Sequence, residues 1–200
     1  HVDITGSSPV VTFTFDDFPD SALSNGGRLL EKYGGRGTFY LAPGLCEQIT
    51  EVGKIISRTD INKCKEAGHE IGHHTYSHLD CRAARKNEII ADIEKANIDL
   101  GNIKTVNFSF QFGRRNNKSK KILRNYLKSC RGIQSGINKG LIDTLNLKSN
   151  AIYTKNNNLD ALMQKINDVK KNGGWLIFYT HDVTQVPGPY GCTEEDLEYL

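Results

Sequence analysis

The stretch His69-Glu70-Ile71-Gly72-His73-His74-Thr75-Tyr76-Ser77-His78 holds four of the six histidines in the chain. It offers two imidazole pairs at i, i+4 spacing. His69 and His73 frame an H-E-x-x-H pattern, which binds zinc only on a helix, where such residues share a face about 6 Å apart. On a strand the same residues stand about 13 Å apart, at roughly 3.3 Å per residue. Two zinc–nitrogen bonds of about 2.0–2.1 Å do not bridge that gap. A helical pattern stops at Gly68, and Gly72 marks 69–72 as extended, so the first pair fails as a metalloprotease helix. The metzincin continuation is missing as well, because Tyr76 stands where its glycine belongs. The second pair, His74 and His78, begins where the strand ends, and a turn at 75–77 brings both rings to one ion. Spacing alone is a weak signal. Asp16-Asp17 and His181-Asp182 strengthen it, because each ends another strand. Two imidazoles and a carboxylate with an open position are a catalytic-type zinc donor set.

The elements that must deliver these groups alternate. Val10-Val11-Thr12-Phe13-Thr14-Phe15 is β-branched and aromatic and reads as a buried strand. Gly37–Leu41 is a second, closed by Ala-Pro-Gly. A helix is predicted over 59–67, capped by Asp60 and stopped at Gly68. A strand starts at His69. Ile89, Ile90, Ile93, Ala96, Ile98 and Leu100 fall at helical spacing within 86–100. Then come a strand at 105–112, a helix near 118–129, strands at 130–134 and 151–154, and a helix at 159–171. The most apolar strand is 174–180, and Thr193-Glu194-Glu195-Asp196 opens a last helix. Such alternation predicts an α/β fold: a single-domain distorted (β/α) barrel of about seven parallel strands, spanning 1–200. In such a barrel chemistry sits where strands end at their C-terminal edge. Asp16-Asp17, His73-His74 and His181-Asp182 all fall there.

Two hundred residues, 38% hydrophobic and 24% charged, suit one globular domain. A net charge of +3 is too mild to argue for nucleic acid. The basic run 114–121 has no interleaved aromatics and reads as a solvated loop entering a helix. No apolar run approaches the roughly 20 residues of a membrane span. The chain starts at His1 without a signal pattern, as expected of a mature or trimmed form. Five cysteines lack any C-x-x-C, and their odd number leaves at least one thiol free. Cys192 would need a histidine base beside it to act as a nucleophile.

Thr14-Phe15-Asp16-Asp17, Gly37-Thr38-Phe39-Tyr40 and the 69–78 stretch together resemble the NodB-like polysaccharide deacetylases of carbohydrate esterase family four. The resemblance runs from the first strand to Leu176–His181. It implies a hydrolase that removes acetyl groups, N-acetyl before O-acetyl, from a poly- or oligosaccharide, with metal-bound water as nucleophile. Carried over, Asp17, His74 and His78 bind a divalent metal, zinc first, with cobalt, nickel or manganese as alternatives. Asp16 is the general base, His181 the general acid, and the backbone N–H of Phe112 an oxyanion donor. The family's usual targets imply a location outside the cytoplasm. Three positions depart from the pattern. Many members carry an arginine in the wall motif that pairs with the catalytic aspartate. Here that motif is Ser109-Phe110-Gln111-Phe112-Gly113, leaving Arg114 or Arg131 for the task. No counterpart appears for the aspartate that orients the late histidine, and Asp182 would point to the opposite face. His73 replaces a common Asn or Ser and reads as a supporting residue; His69 and His1 read as structural. Without the wall arginine, a glycan-binding protein that has lost turnover is an alternative. A hydrolase of a small cyclic amide is another.

Overall fold

The computed structural model describes residues 1–156 and 159–200. Seven parallel strands form one sheet: β1 (Val10–Phe15), β2 (Thr38–Leu41), β3 (Glu70–His73), β4 (Asn107–Ser109), β5 (Ser129–Arg131), β6 (Asn150–Ala151) and β7 (Trp175–Thr180), in the order β6-β7-β1-β2-β3-β4-β5. Leu147 pairs with Arg131 of β5 while Asn150 pairs with Phe178 of β7, so segment 147–151 bridges β5 to β7 and curls the sheet into a barrel. The helices are α1 (Arg28–Lys32), α2 (Arg58–Glu66), α3 (Lys86–Leu100), α4 (Asn117–Leu123), α5 (Leu159–Asn172) and α6 (Glu194–Tyr199). None is long and apolar enough to cross a membrane.

The period-2 pattern of the strands sorts side chains between the helices and the bore. Phe13 and Phe15 of β1 point outward. Phe15 stacks on Phe39 at 4.7 Å and Phe13 on Phe178 at 5.4 Å. Ile61, Cys64, Leu162, Val169 and Leu197 cover this face from α2, α5 and α6. Ile89, Ile93, Ile122 and Leu123 of α3 and α4 cover Phe108 and Cys130. Each fully buried aromatic or aliphatic side chain contributes about 1.5–3 kcal/mol. Thr12 and Thr14 point into the bore instead. Thr12 accepts a hydrogen bond from Trp175 Nε1 at 2.8 Å, and Thr14 donates to the Phe178 carbonyl at 2.8 Å. The bore is therefore polar, and Arg131 can sit in it.

Several boundaries shift from the sequence expectation. The cap of α2 is Ser57, whose Oγ accepts the Asp60 N–H at 3.2 Å; Asp60 lies one turn inside and accepts from Ser57 Oγ at 2.7 Å. The strand expected over 105–112 ends at Ser109, because Phe112 and Gly113 take positive φ (54° and 63°) and turn the chain. The strand expected over 130–134 is Ser129–Arg131, and that over 151–154 is Asn150–Ala151. An antiparallel ribbon, Ile49–Thr50 with Gly53–Lys54, was not foreseen.

Candidate active site

Each strand end turns sharply to present its polar residues. Asp16 donates its backbone N–H to the Thr180 carbonyl at 2.9 Å, continuing the β1–β7 ladder. Asp17 and Phe18 then take φ of 60° and 56°, a costly conformation for non-glycine residues. Phe18 compensates by burying its ring fully, 4.7 Å from that of Phe39. This swings Asp17 up onto the rim.

At the end of β3, His74 donates its backbone N–H to Leu41 at 3.0 Å and its ring Nδ1 contacts the Ser109 carbonyl at 2.9 Å. A carbonyl only accepts, so Nδ1 carries the proton and Nε2 presents a lone pair. Thr75 and His78 both have φ of 58°. Asp92 of α3 holds the loop between them, accepting the N–H groups of Tyr76 (2.7 Å) and Ser77 (3.0 Å) and the Ser77 hydroxyl (2.8 Å).

Asp17 Oδ1 lies 3.3 Å from His74 Nε2 and 3.2 Å from His78 Nε2. It is buried without a hydrogen-bond partner among the described residues. One ligand atom from each of the three residues falls within 4.8 Å of the others. Burial pushes the Asp17 carboxyl up, but the imidazoles of His74, His78 and His181 outweigh it and hold the group far below the usual carboxylate range. Burial and the neighbouring His74 push His78 down to about 4. Two imidazoles and a carboxylate with an orphaned oxygen, gathered within 4.8 Å of one another, fit a divalent cation that takes mixed nitrogen and oxygen ligands.

Asp16 lies beside this cluster, buried, and Arg131 Nη2 donates to its Oδ1. Ser109 Oγ donates to Oδ2 at 3.3 Å. Arg131 is 1% exposed, with its guanidinium 4.9 Å from the Tyr40 ring and 4.8 Å from the Tyr179 ring. Of the two arginines left open by the sequence, Arg131 meets the carboxylate. Arg114 pairs with Asp80 at 3.2 Å and lies over the Phe112 ring.

His181 stands across the cleft, its Nε2 3.9 Å from Asp17 Oδ2. Its Nδ1 donates to the Tyr190 carbonyl at 3.1 Å. Tyr153 and Tyr190 flank the ring at 6.1 and 5.6 Å. Phe112, 56% exposed, sets its ring against that of His78 at 4.8 Å and lines the opposite wall. The cleft they enclose is about 420 Å³, with Glu51 and Val52 of the short ribbon at its edge. Tyr153 and Tyr190 lie on irregular chain and the strands of the ribbon are two residues each, so no periodicity in the sequence marks them.

The remaining candidates lie elsewhere. His69 and His73 flank an extended segment, as the failed helix pattern requires. His69 Nδ1 accepts the Gly37 N–H at 3.1 Å and Nε2 meets Glu31 at 2.9 Å. His73 Nδ1 accepts the Thr75 N–H at 2.9 Å, which supports the ligand loop, and burial pushes this ring down to about 4. His1 is exposed. Cys192 is fully buried and burial pushes its thiol up to about 12, which rules it out as a nucleophile at neutral pH. All five cysteines are free thiols.

Residues 3–127 match the family model described as polysaccharide deacetylase. Solved structures share the fold. One is a Streptococcus pyogenes deacetylase, PplD, in complex with acetate (TM-score 0.65, 22% identity, 78% of this chain and 70% of that one). Another is IcaB from Ammonifex degensii (0.68, 18%, 80% and 72%). A third is a family 4 carbohydrate esterase from Streptomyces lividans in complex with acetate (0.61, 16%, 96% and 85%). No curated protein matches the sequence.

Proposed function

Because the chain belongs to the polysaccharide deacetylase family, we propose that it is a metal-dependent hydrolase releasing acetate from an acetylated poly- or oligosaccharide, N-acetyl in preference to O-acetyl. The observation that carries this reading is one cleft in which Asp16, gripped by Arg131 and Ser109, adjoins the Asp17–His74–His78 cluster and faces His181.

Asp17, His74 and His78 would hold the ion, with zinc best suited to two imidazoles and a carboxylate. When bound, it supplies a Lewis acid that makes water acidic and polarises an acyl oxygen. Asp16 acts as the general base and takes a proton from the attacking water. Its two oxygens are fixed by Arg131 and Ser109, so the carboxylate is held in one orientation without reaching for the ion. The backbone N–H of Phe112 donates to the oxygen that gains charge as the carbonyl becomes tetrahedral. His181, protonated, gives its Nε2 proton to the departing group. An amine needs that proton more than an alkoxide does, and this favours the N-acetyl substrate. The exposed aromatic rings of Phe112 and Tyr190 give the cleft apolar walls for sugar faces. A glycan substrate of this kind favours a location outside the cytoplasm.

Binding without turnover drew its support from the missing wall arginine, and the Arg131–Asp16 pair removes that ground. The test is acetate release from N-acetylglucosamine oligomers by metal-reconstituted protein. Release is expected from the wild type, to be abolished by chelator and by Asp16→Asn. Release that survives chelation and His74→Ala would sink the proposal.

A further inference from the structure

Among the described residues no carboxylate stands against His181 Nδ1; it leans on the backbone oxygen of Tyr190. That single oxygen accepts three donors: His181 Nδ1 at 3.1 Å, the His181 backbone N–H at 3.2 Å and Thr180 Oγ1 at 3.3 Å. Donation from Nδ1 leaves Nε2 as the atom that faces Asp17. The orientation of His181 is thus only as good as the placement of the Tyr190 carbonyl, which sits in the loop Pro187-Gly188-Pro189-Tyr190-Gly191.

Asp182 fixes that loop. Its side chain is buried, 6% exposed, and reaches into the loop. Its Oδ2 accepts the Gly188 N–H at 2.8 Å, and its own carbonyl accepts the Cys192 N–H at 2.9 Å. Gly191 closes over the carboxylate so tightly that a Cβ there would lie 2.2–2.6 Å from the Asp182 carboxyl atoms. Asp182 therefore grips the chain on both sides of Tyr190, at 188 and at 191–192.

We propose that Asp182 is the positioning residue for His181 in this protein, acting through the loop and the Tyr190 carbonyl rather than by touching the ring. The inference rests on the deacetylase reading for its kinetic consequence. A neutral carbonyl sets the tautomer and the plane of the imidazole. When the loop drifts, both are lost, and misplacement by about 1 Å costs on the order of 10²-fold in a step that depends on the group.

The test uses the full chain loaded with metal and two substrates. One is an N-acetylglucosamine oligomer, whose amine leaves only with a proton. The other is 4-nitrophenyl acetate, whose phenolate leaves without one. Asp182→Ala is expected to lower kcat on the oligomer by about 10- to 100-fold, part of the ~10²–10⁴ that a positioned acid supplies, with KM and ester turnover near wild type. Asp182→Asn, which keeps an acceptor for the Gly188 N–H, is expected to restore most of the loss. ¹⁵N NMR of histidine-labelled protein is expected to show one Nδ1–H tautomer for His181 in the wild type and a mixture in Asp182→Ala. If that variant does not fold, Gly188→Pro removes the N–H that Asp182 holds and must give the same substrate split. Equal loss on both substrates, unchanged oligomer turnover or an unchanged tautomer overturns the proposal. A wild type silent on both substrates overturns the deacetylase reading instead and leaves the tautomer to decide this one.

Discussion

Arg131 meets Asp16 across 115 positions of sequence, from the far edge strand of the barrel to the first. The guanidinium lies against the rings of both Tyr40 and Tyr179, so packing as well as the ion pair fixes its place. Removing it leaves a buried carboxylate without its counter-charge, which costs about 3–5 kcal/mol. Arg131→Met is expected to lower stability by that order and acetate release by about 10²-fold or more. Arg131→Lys keeps the charge but loses the flat face that the two rings clasp, so it is expected to recover stability in part and activity little. Denaturant unfolding and acetate assays on both variants check this. A lysine variant with wild-type turnover would show that charge alone holds Asp16.

Asp92 touches none of the proposed metal ligands, yet it holds the backbone of the loop that ends at His78. That loop carries positive φ at Thr75 and His78 and needs an external anchor. Asp92→Ala is expected to weaken divalent-metal affinity by about 10–100-fold, the usual cost of losing support behind a ligand. Competition against a chromophoric chelator measures it directly, and an unchanged affinity would mean the loop holds itself.

Asp16, Asp17, His74 and His181 were legible because each follows the end of a periodic strand, and parallel strands in a barrel end on the same rim; His78 lies on the turn beyond and was legible only by its spacing from His74. Arg131 was legible only as one of two arginines. Alternation sends Cys130 outward into the core and Arg131 inward, but local sequence does not say which carboxylate an inward arginine reaches. The strand expected over 105–112 was overextended because Phe108, Phe110 and Phe112 continue an alternating pattern past Ser109, where the strand ends before the turn at Phe112 and Gly113. Ser57 and Asp60 both have capping chemistry, three residues apart, and only the entry of the chain into α2 decides between them. The cleft walls at Tyr153, Tyr190 and 49–54 come from irregular chain and a very short ribbon brought together by the barrel, a long-range outcome with no local signature.

Gly72 links the strand carrying the first histidine pattern to the base. A Cβ at this position would lie 2.4 Å from the Tyr40 ring and 2.6 Å from Asn107 Oδ1. Gly72→Ala must displace Tyr40, and Tyr40 is one of the two rings against Arg131. The expected result is a stability loss of about 1–3 kcal/mol from overpacking, with turnover falling while metal affinity stays near wild type. Metal titration and acetate assays on one preparation separate the two. Full activity at reduced stability would mean Arg131 does not depend on that ring.

His73 should make the metal-free protein acid-sensitive in a defined window. Burial pushes its pKa down from 6.5 to about 4, its Nε2 has no partner among the described residues, and its Nδ1 accepts the Thr75 N–H, which only an unprotonated Nδ1 can do. The unfolded chain takes up a proton near pH 6.5, whereas the folded chain resists until about 4. Below pH 6.5 the unfolded state therefore binds more protons, and stability falls as pH falls. The contribution is fully present above 6.5 and is lost progressively between 6.5 and 4, to a total of about 3 kcal/mol for this residue. His78, pushed to about 4 by burial, acts in the same window, so the informative quantity is the difference between variants. His73→Asn places an acceptor where Nδ1 stands and removes the titration. Its unfolding free energy is expected to decline less steeply than wild type from pH 7 to 5, by up to about 1.4 kcal/mol per pH unit. Parallel denaturant curves for the two proteins would place the acid sensitivity elsewhere in the molecule.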